Sequence, residues 1–415
     1  MRCARRAKFP LNMGFVACAC WPTCFAAMFK CVSACGGMNG TLFENRNRWC
    51  CLKALPAVTV FAAWLFTGAL AVDGAEQADA QRSFALKAPN AKEVVLQGQW
   101  SKQALAMTRG EDGTWSVAAV AVPTGIWEYS FVVDGLNVID PNNPAIKPQV
   151  QPGKSLLHIP SVPPALWDWQ DVPHGTVHAH EYQSGVLGKR RSLLVYTPPG
   201  YEADQTKRFP LLVLQHGNGG NHRGWVETGK ANWILDNLIA TGKAVPMVVV
   251  MINGHPFGML PRTVDTERRR GALEAFRREL LEEAIPLVEK IYRLAEGREH
   301  RAIAGLSMGA RQSLTVGLNA LDRFAWVGGF SGSCDAEAVQ SALEAAQDTN
   351  ARLRLLWLAC GRDDRYAEGV KKLAAKLTEQ GIRHECHLTD GDHSWPVWRR
   401  CLAEFAPLLF QEVKQ

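Results

Sequence analysis

The stretch Ala302-Ile303-Ala304-Gly305-Leu306-Ser307-Met308-Gly309 decides the fold of the longer part of this chain. Ala302-Ile303-Ala304 is a short apolar run of the kind that ends a buried strand. The segment that follows, Gln312-Ser313-Leu314-Thr315-Val316-Gly317-Leu318, suits a helix. Between them, Gly305-x-Ser307-x-Gly309 has the pattern of a nucleophile elbow. This corner is so tight that its serine takes a strained backbone, and the positions two before and two after must lack bulk. The hydroxyl then stands above the sheet with a helix N-terminus behind it. Taken alone, the pentapeptide also fits an ordinary glycine-rich turn. The strand before it, the helix after it and the partners downstream favour a catalytic Ser307.

Residues 174–415 alternate strand and helix signals, which predicts a parallel sheet covered on both faces. The predicted strands are 191–196, 210–215, 247–252, 301–304, 325–330, 353–360 and 384–388. Continuous apolar runs such as Val248-Val249-Val250-Met251 suit strands buried on both sides. Between Ala272 and Ile291 the residues Leu273, Phe276, Leu280, Val288 and Ile291 follow a helical stripe, kinked or restarted at Pro286. A second helix runs from Glu368 to Gln380 and stops at Gly381.

A serine hydroxyl needs a base within hydrogen-bond reach, and that imidazole needs a carboxylate to hold its tautomer. On such a sheet the chain order is serine, acid, histidine. Three histidines follow Ser307. His384 and His387 fall in a predicted strand, whereas His393 sits in the loop Gly391-Asp392-His393-Ser394-Trp395 and is the expected base. The acid is expected in Gly361-Arg362-Asp363-Asp364, at the C-terminal end of a strong strand, where catalytic groups of open sheets gather. Chemistry alone leaves Asp363 and Asp364 both open, and one of them can instead cap the next helix. The oxyanion needs two aimed backbone N–H groups. One is expected from Met308, and the other from the loop Gln215-His216-Gly217-Asn218-Gly219-Gly220. That loop lacks the Lys-Ser/Thr ending of a phosphate cradle.

Charge and cysteine are both distributed unevenly. Of the 46 Lys/Arg and 40 Asp/Glu, the first 71 residues hold eight and one, leaving a near-neutral body with 38 and 39. A nucleic-acid partner therefore has no electrostatic support. Eight of the twelve cysteines lie in the first 51 residues. The body keeps Cys334, Cys360, Cys386 and Cys401, without a C-x-x-C pair. Buried free thiols are expected there rather than a zinc or redox site.

Lys53 precedes an apolar core that ends in Ala69-Leu70-Ala71. This reads as a secretory signal, with cleavage after Ala71 and no stable membrane association afterwards. A membrane anchor fits less well, because Pro56 and Gly68 break the run. A start at Met38 would give a signal of ordinary length. The expected organisation is thus a leader over 1–71, a β-sandwich over 84–160, a proline-rich linker over 161–173 and an α/β domain over 174–415.

The 84–160 segment consists of short strands and turns. It includes Val94-Val95-Leu96, a turn at Asp112-Gly113, and Ile126 to Val133 ending at Asp134-Gly135. This is a sandwich pattern of roughly immunoglobulin size. Its Gly98-x-Trp100, Gly113-x-Trp115, Tyr129-x-Phe131-Val132-Val133-Asp134-Gly135 and Asp140-Pro141-Asn142-Asn143-Pro144 resemble the family 48 carbohydrate-binding modules, whose aromatic faces can stack on sugars. The plainer reading makes Trp100, Trp115 and Trp127 sandwich core. Trp167 and Trp169 of the linker are expected to staple the two domains together.

Residues 174–415 resemble carbohydrate esterase family 1, the feruloyl and acetylxylan esterases, among the esterase D-like α/β-hydrolases. The matching phrases are Tyr196-Thr197-Pro198-Pro199-Gly200-Tyr201, His216-Gly217, Asn253-Gly254, Gly305-Leu306-Ser307-Met308-Gly309, Phe330-Ser331-Gly332 and Gly391-Asp392-His393-Ser394-Trp395. The resemblance implies an α/β-hydrolase fold with a smaller N-terminal β-sandwich. It places the family's Gly-x-x-Asp on Gly361 to Asp364, making Asp364 the acid, and its second oxyanion donor on Asn218. Ala310 stands where relatives often carry a third glycine.

The implied activity is a secreted serine esterase, without cofactor, acting on acylated plant polysaccharide or oligosaccharide. The same arrangement is similar to the enterochelin esterases, and Arg262, Arg268, Arg269 and Arg270 keep a siderophore ester in view. A catalytically silent glycan-binding protein is the alternative from another class. His174, His178 and His180 lie in a linker-like segment without a carboxylate cluster, so no metal site is expected there.

Overall fold

The computed structural model describes residues 80–261 and 263–411; the expected leader over 1–71 and Arg262 lie outside them. The first eight strands are β1 (Ala80–Lys87), β2 (Val94–Gly98), β3 (Leu105–Ala106), β4 (Thr108–Arg109), β5 (Thr114–Val122), β6 (Gly125–Val133), β7 (Leu136–Val138) and β8 (Ser155–Ile159). They form two antiparallel sheets, β1-β5-β4 and β3-β2-β6-β7, with β8 also paired to β6. Phe84, Leu86, Trp115 and Val122 of one sheet meet Val94, Leu96, Tyr129 and Phe131 of the other in a single core. This is a small sandwich. Trp115 is buried, and Trp100 and Trp127 pack against the same core. The plainer reading of the three tryptophans describes their positions.

The larger sheet contains β9 (Thr176–Ser184), β10 (Lys189–Thr197), β11 (Leu211–Gln215), β12 (Val248–Ile252), β13 (Arg301–Leu306), β14 (Trp326–Phe330), β15 (Leu355–Gly361) and β16 (Glu385–Thr389). Its order is β16-β15-β14-β13-β11-β12-β10-β9. The helices are α1 (Gly224–Glu227), α2 (Ala231–Ala240), α3 (Thr266–Arg278), α4 (Ile285–Ile291), α5 (Met308–Asn319), α6 (Gln340–Glu344), α7 (Ala346–Arg352), α8 (Ala367–Glu379) and α9 (Trp395–Phe405).

Successive residues of one strand enter opposite cores, as the period of two requires. Leu211 and Val213 face the side holding Phe276, Val288 and Val370, whereas Leu212 and Leu214 face the side holding Leu235, Trp398 and Phe405.

Three expectations need correction. The sheet is mixed rather than parallel, because β9–β10 and β10–β12 are antiparallel. The turn between Ser184 and Lys189, with Gly188 at φ +63°, is short enough to bring β10 back directly. The linker-like segment around the histidines is the edge strand β9. It alternates half-exposed and exposed side chains, so it lacks the apolar run by which buried strands are recognised.

The interruption expected at Pro286 is a π-helical turn over Glu279–Ala284 that joins α3 to α4 and leaves Pro286 in the first turn of α4. In the linker, Asp168 ties the chain back to the sandwich, and Asn237 of α2 donates to the carbonyls of Leu166 and Asp168. Asp168 is buried against His158 (2.7 Å) and the amides of Ser161 and Ala165, while Trp169 is exposed and stacks on His174. Trp167 does pack on the α2–α9 side of the sheet.

Candidate active site

Ser307 lies between β13 and α5 with φ 55° and ψ −114°, a conformation that costs a residue with a Cβ. The turn is held by the Ser307 N–H, which donates to Phe330 O at 2.8 Å. A Cβ on Gly305 would lie 2.7 Å from Gln215 Cβ, and one on Gly309 would lie 2.5 Å from His216 O. Both glycines are therefore sterically required, as the motif predicts.

The structure brings the three expected side chains together. His393, in the loop between β16 and α9, places Nε2 2.9 Å from Ser307 Oγ and Nδ1 2.8 Å from Asp364 Oδ2. A carboxylate only accepts, so Nδ1 carries the proton and Nε2 is left to accept from the serine hydroxyl. Asp364 is buried, while Asp363 is exposed and bonds only through its backbone N–H, to Gly391 O. Burial by itself would push the Asp364 carboxyl up. Hydrogen bonds from His393 and from the Tyr366 amide outweigh burial and hold it below the usual carboxylate range. Trp398 meets the His393 ring edge-on at 5.0 Å, and the exposed Tyr366 ring lies 5.0 Å away on a tilt.

Met308 opens α5, so its N–H has no partner within the helix. Asn218 follows Gly217, whose carbonyl accepts from His216 Nδ1 at 2.7 Å and from Gly220 N at 3.2 Å. In a trans peptide the N–H points away from the C=O, so the Asn218 N–H faces away from the His216 ring. Gly217 itself adjoins Ser307, since a Cβ there would lie 3.2 Å from Ser307 Cβ.

What holds this loop was not visible in the sequence. His216 is buried, and its Nε2 accepts from Gly254 N at 2.8 Å, which leaves the proton on Nδ1. Burial, with His255 and His222 nearby, pushes its pKa down to about 3, so the ring is neutral. His255 Nε2 accepts from Gly219 N at 3.2 Å.

The loop carrying Gly254 and His255 is pinned in turn. Gln312 of α5 donates to Gly254 O at 2.9 Å, and Arg191 of β10 donates to the carbonyls of Asn253 and His255. Arg191 is paired with the fully buried Glu279 of the π turn, Nε to Oε1 at 2.6 Å and Nη2 to Oε2 at 3.0 Å. A signal existed in the sequence: Arg191 stands in phase with the inward residues Leu193 and Val195 of a buried strand.

The remaining candidates lie apart from this constellation. His174 bonds Asp236, His178 bonds Thr197 and His180 bonds Tyr292. Among the described residues, no three His, Cys, Asp or Glu side chains are grouped to hold a metal ion, and Cys334, Cys360, Cys386 and Cys401 are free thiols. Arg268, Arg269 and Arg270 occupy the start of α3, capped by Asp265, with Arg268 and Arg270 exposed.

The family described as "Putative esterase" matches residues 184–409. The chain is 29% identical over 339 residues to an endo-1,4-beta-xylanase/feruloyl esterase of Xylanibacter ruminicola, covering 79% of this chain and 44% of that protein. It is 23% identical over 240 residues to an uncharacterized protein of Corynebacterium glutamicum, covering 51% of this chain and 55% of the other. It thus spans about half the length of these relatives.

A solved ferulic acid esterase of Anaeromyces mucronatus superimposes with a TM-score of 0.51 at 25% identity, over 59% of this chain and 93% of that one. The enterobactin esterase of Shigella flexneri superimposes with a TM-score of 0.56 at 20% identity, over 80% of this chain and 94% of that one. Its overlap reaches beyond the hydrolase domain, and at that identity it speaks for the fold alone. The family match spans more than half of the chain and contains the serine turn, the buried aspartate and the histidine loop, so this chain belongs to that esterase family and has the α/β-hydrolase fold.

Proposed function

We propose that this chain is a serine carboxylic ester hydrolase that removes feruloyl or acetyl groups from plant polysaccharide side chains outside the cytoplasm. The observation that carries this reading is the unbroken chain of hydrogen bonds from Ser307 through His393 to Asp364. Ser307 Oγ attacks the ester carbonyl carbon while His393 Nε2 takes its proton. The carbonyl oxygen becomes an oxyanion, held by the N–H groups of Met308 and Asn218. The tetrahedral species collapses, the bond to the sugar oxygen breaks, and His393 gives its proton to that oxygen. Water, deprotonated by the same nitrogen, then attacks the acyl-serine; the Oγ–acyl bond breaks, His393 returns the proton to Ser307 Oγ, and the acid is released. Asp364 stays ionised throughout and stabilises the imidazolium.

The substrate class is supported by the named activities of the Xylanibacter and Anaeromyces relatives. Exposed apolar side chains at Phe257 and Met259, which follow the Gly254–His255 loop, and at Tyr366 beside His393 suit an aromatic acyl group. The leader sequence supports export. A siderophore ester would need a basic cleft, and the α3 arginines gain no support for that role from a solvated helix start.

The test is a substrate panel of methyl ferulate, acetylated xylan, a catecholate triester and p-nitrophenyl acetate, with fluorophosphonate labelling of the folded protein. Turnover of ferulate or acetyl esters, with labelling abolished by Ser307→Ala, is expected. A folded protein that neither turns over any ester nor labels at Ser307 sinks the enzyme reading in favour of a silent glycan-binding protein.

A further inference from the structure

The small sandwich touches the oxyanion loop directly. Val150 N–H donates to Gly219 O at 2.9 Å, and Gln149 pairs with Gly220 in an antiparallel bridge. The segment carrying these residues is not a free loop. Leu156 N donates to Ala145 O at 2.7 Å, Lys147 N donates to Lys154 O at 2.9 Å, and Lys147 is paired with Glu128 of β6 at 2.6 Å. It is therefore a hairpin-like strap rooted on β8 and, through it, on β6.

Gly219 is tethered from two sides. Its N–H goes to His255 of the hydrolase domain, and its C=O goes to Val150 of the sandwich. Gly217 is tied through its C=O to His216. Asn218 lies between these two tethers, so the direction of its N–H depends on both. The sandwich makes a second contact, in which Arg399 of α9 donates to Ile126 O at 3.2 Å. Arg399 is the neighbour of Trp398, the residue packed on His393.

We infer that the strap at Gln149 and Val150 positions the oxyanion loop, so that the sandwich is a working part of the ester-hydrolysing site rather than an appended module. This rests on the proposed function and adds to it a cause: the hydrolase domain by itself holds Gly219, the residue next to Asn218, through its N–H only, and the strap supplies the bond to its carbonyl. Donors aimed at a developing oxyanion act through pre-set direction, and a displacement of about 1 Å costs about 100-fold. The strap residues touch no reacting atom, so they are positioning residues.

The experiment compares Val150→Pro, which deletes the N–H, with Val150→Ala, which keeps it. Both are made in the full chain, with circular dichroism as the folding control. The substrate is p-nitrophenyl acetate, and phenylboronic acid serves as a mimic of the tetrahedral species. Relative to Val150→Ala, Val150→Pro should lower kcat by about 10- to 100-fold and leave KM within about twofold. Phenylboronic acid should bind more weakly by a similar factor, about 10- to 100-fold, whereas a merely structural role would not link the two.

Folded variants whose kcat values agree within about twofold overturn the inference. Should Val150→Pro fail to fold, hydrogen exchange on the wild-type protein decides. Phosphonylation of Ser307 should slow exchange in 145–151 together with 216–222, and an unchanged 145–151 overturns the inference. The reading of the enzyme itself fails differently, through a wild-type protein that hydrolyses no ester.

Discussion

Two glycine-containing loops meet at the site, and they reach their shapes by opposite routes. The nucleophile turn, Gly305 to Gly309, is shaped by its own short span. It has a strand behind it, a helix ahead, and two glycines without which the chain would collide with Gln215 and His216. The oxyanion loop, His216 to Gly220, takes its shape from elsewhere. Its contacts come from Gly254 and His255, from Arg191 and Glu279 behind them, and from Val150 of the sandwich. A strained serine turn can thus be encoded locally while the loop beside it is shaped by packing. A substitution far from the chemistry should then act on the oxyanion loop and spare the nucleophile turn.

The largest expected effect lies at the acid, where two adjacent aspartates differ only in their surroundings. Asp364→Asn presents the His393 Nδ1 with a donor where an acceptor is needed, and kcat on a small aryl ester should fall by about 10³–10⁴-fold. Asp363→Asn, at an exposed side chain, should stay within about tenfold. Steady-state kinetics with circular dichroism as control reads both, and a crippled Asp363→Asn would mean that the structure names the wrong carboxylate.

The next tests the remote brace. Arg191→Met leaves Glu279 buried and uncompensated, with Tyr182 as its remaining hydrogen-bond donor. Breaking a buried pair in this way costs about 3–5 kcal/mol. A urea titration should show that loss. At concentrations where the variant is still folded, kcat should fall while fluorophosphonate still labels Ser307. Unchanged stability would show that the Arg191–Glu279 pair braces nothing.

The smallest concerns pH. Burial holds His216, His222, His255 and His180 below the ordinary histidine pKa, His216 at about 3 and His222 at about 4. Groups depressed in the fold bind protons more readily once unfolded. Their contribution is fully present above the unfolded value of about 6.5 and is lost progressively as pH falls toward the folded values. Asp364 is also depressed, but it acts below the ordinary carboxylate range, outside the window from pH 7 to 5. Unfolding free energy should therefore fall from pH 7 to 5, and His216→Asn should shrink that fall by about one proton's share. An identical pH slope in wild type and variant would place the His216 proton elsewhere.

The central strands of the sheet were legible because buried strands on both-faced sheets read as continuous apolar runs, as at Val248–Ile252. Elbow glycines are legible too, because only glycine fits there. The edge strand Thr176–Ser184 was not, since an edge with one wet face mixes histidine, glutamate and tyrosine in a pattern that loops share. The tryptophans of the linker drew attention as staples, while the buried Asp168, an ordinary polar residue in the sequence, makes most of the hydrogen bonds there.

By itself, the sequence determined what depends on neighbours along the chain: the strained serine, the glycines around it, the histidine in its loop and the family to which they point. Choosing between Asp363 and Asp364 from residues alone was beyond it, because adjacent positions share composition and differ only in direction. The family resemblance pointed to Asp364, and tertiary structure set that carboxylate against His393; tertiary structure alone joined Arg191 to Glu279, His216 to Gly254 and Val150 to Gly219. The physical reason is that a backbone N–H or C=O is present at nearly every residue. Which of them meet across 38 or 69 positions of chain leaves no mark on the side chains that a sequence displays.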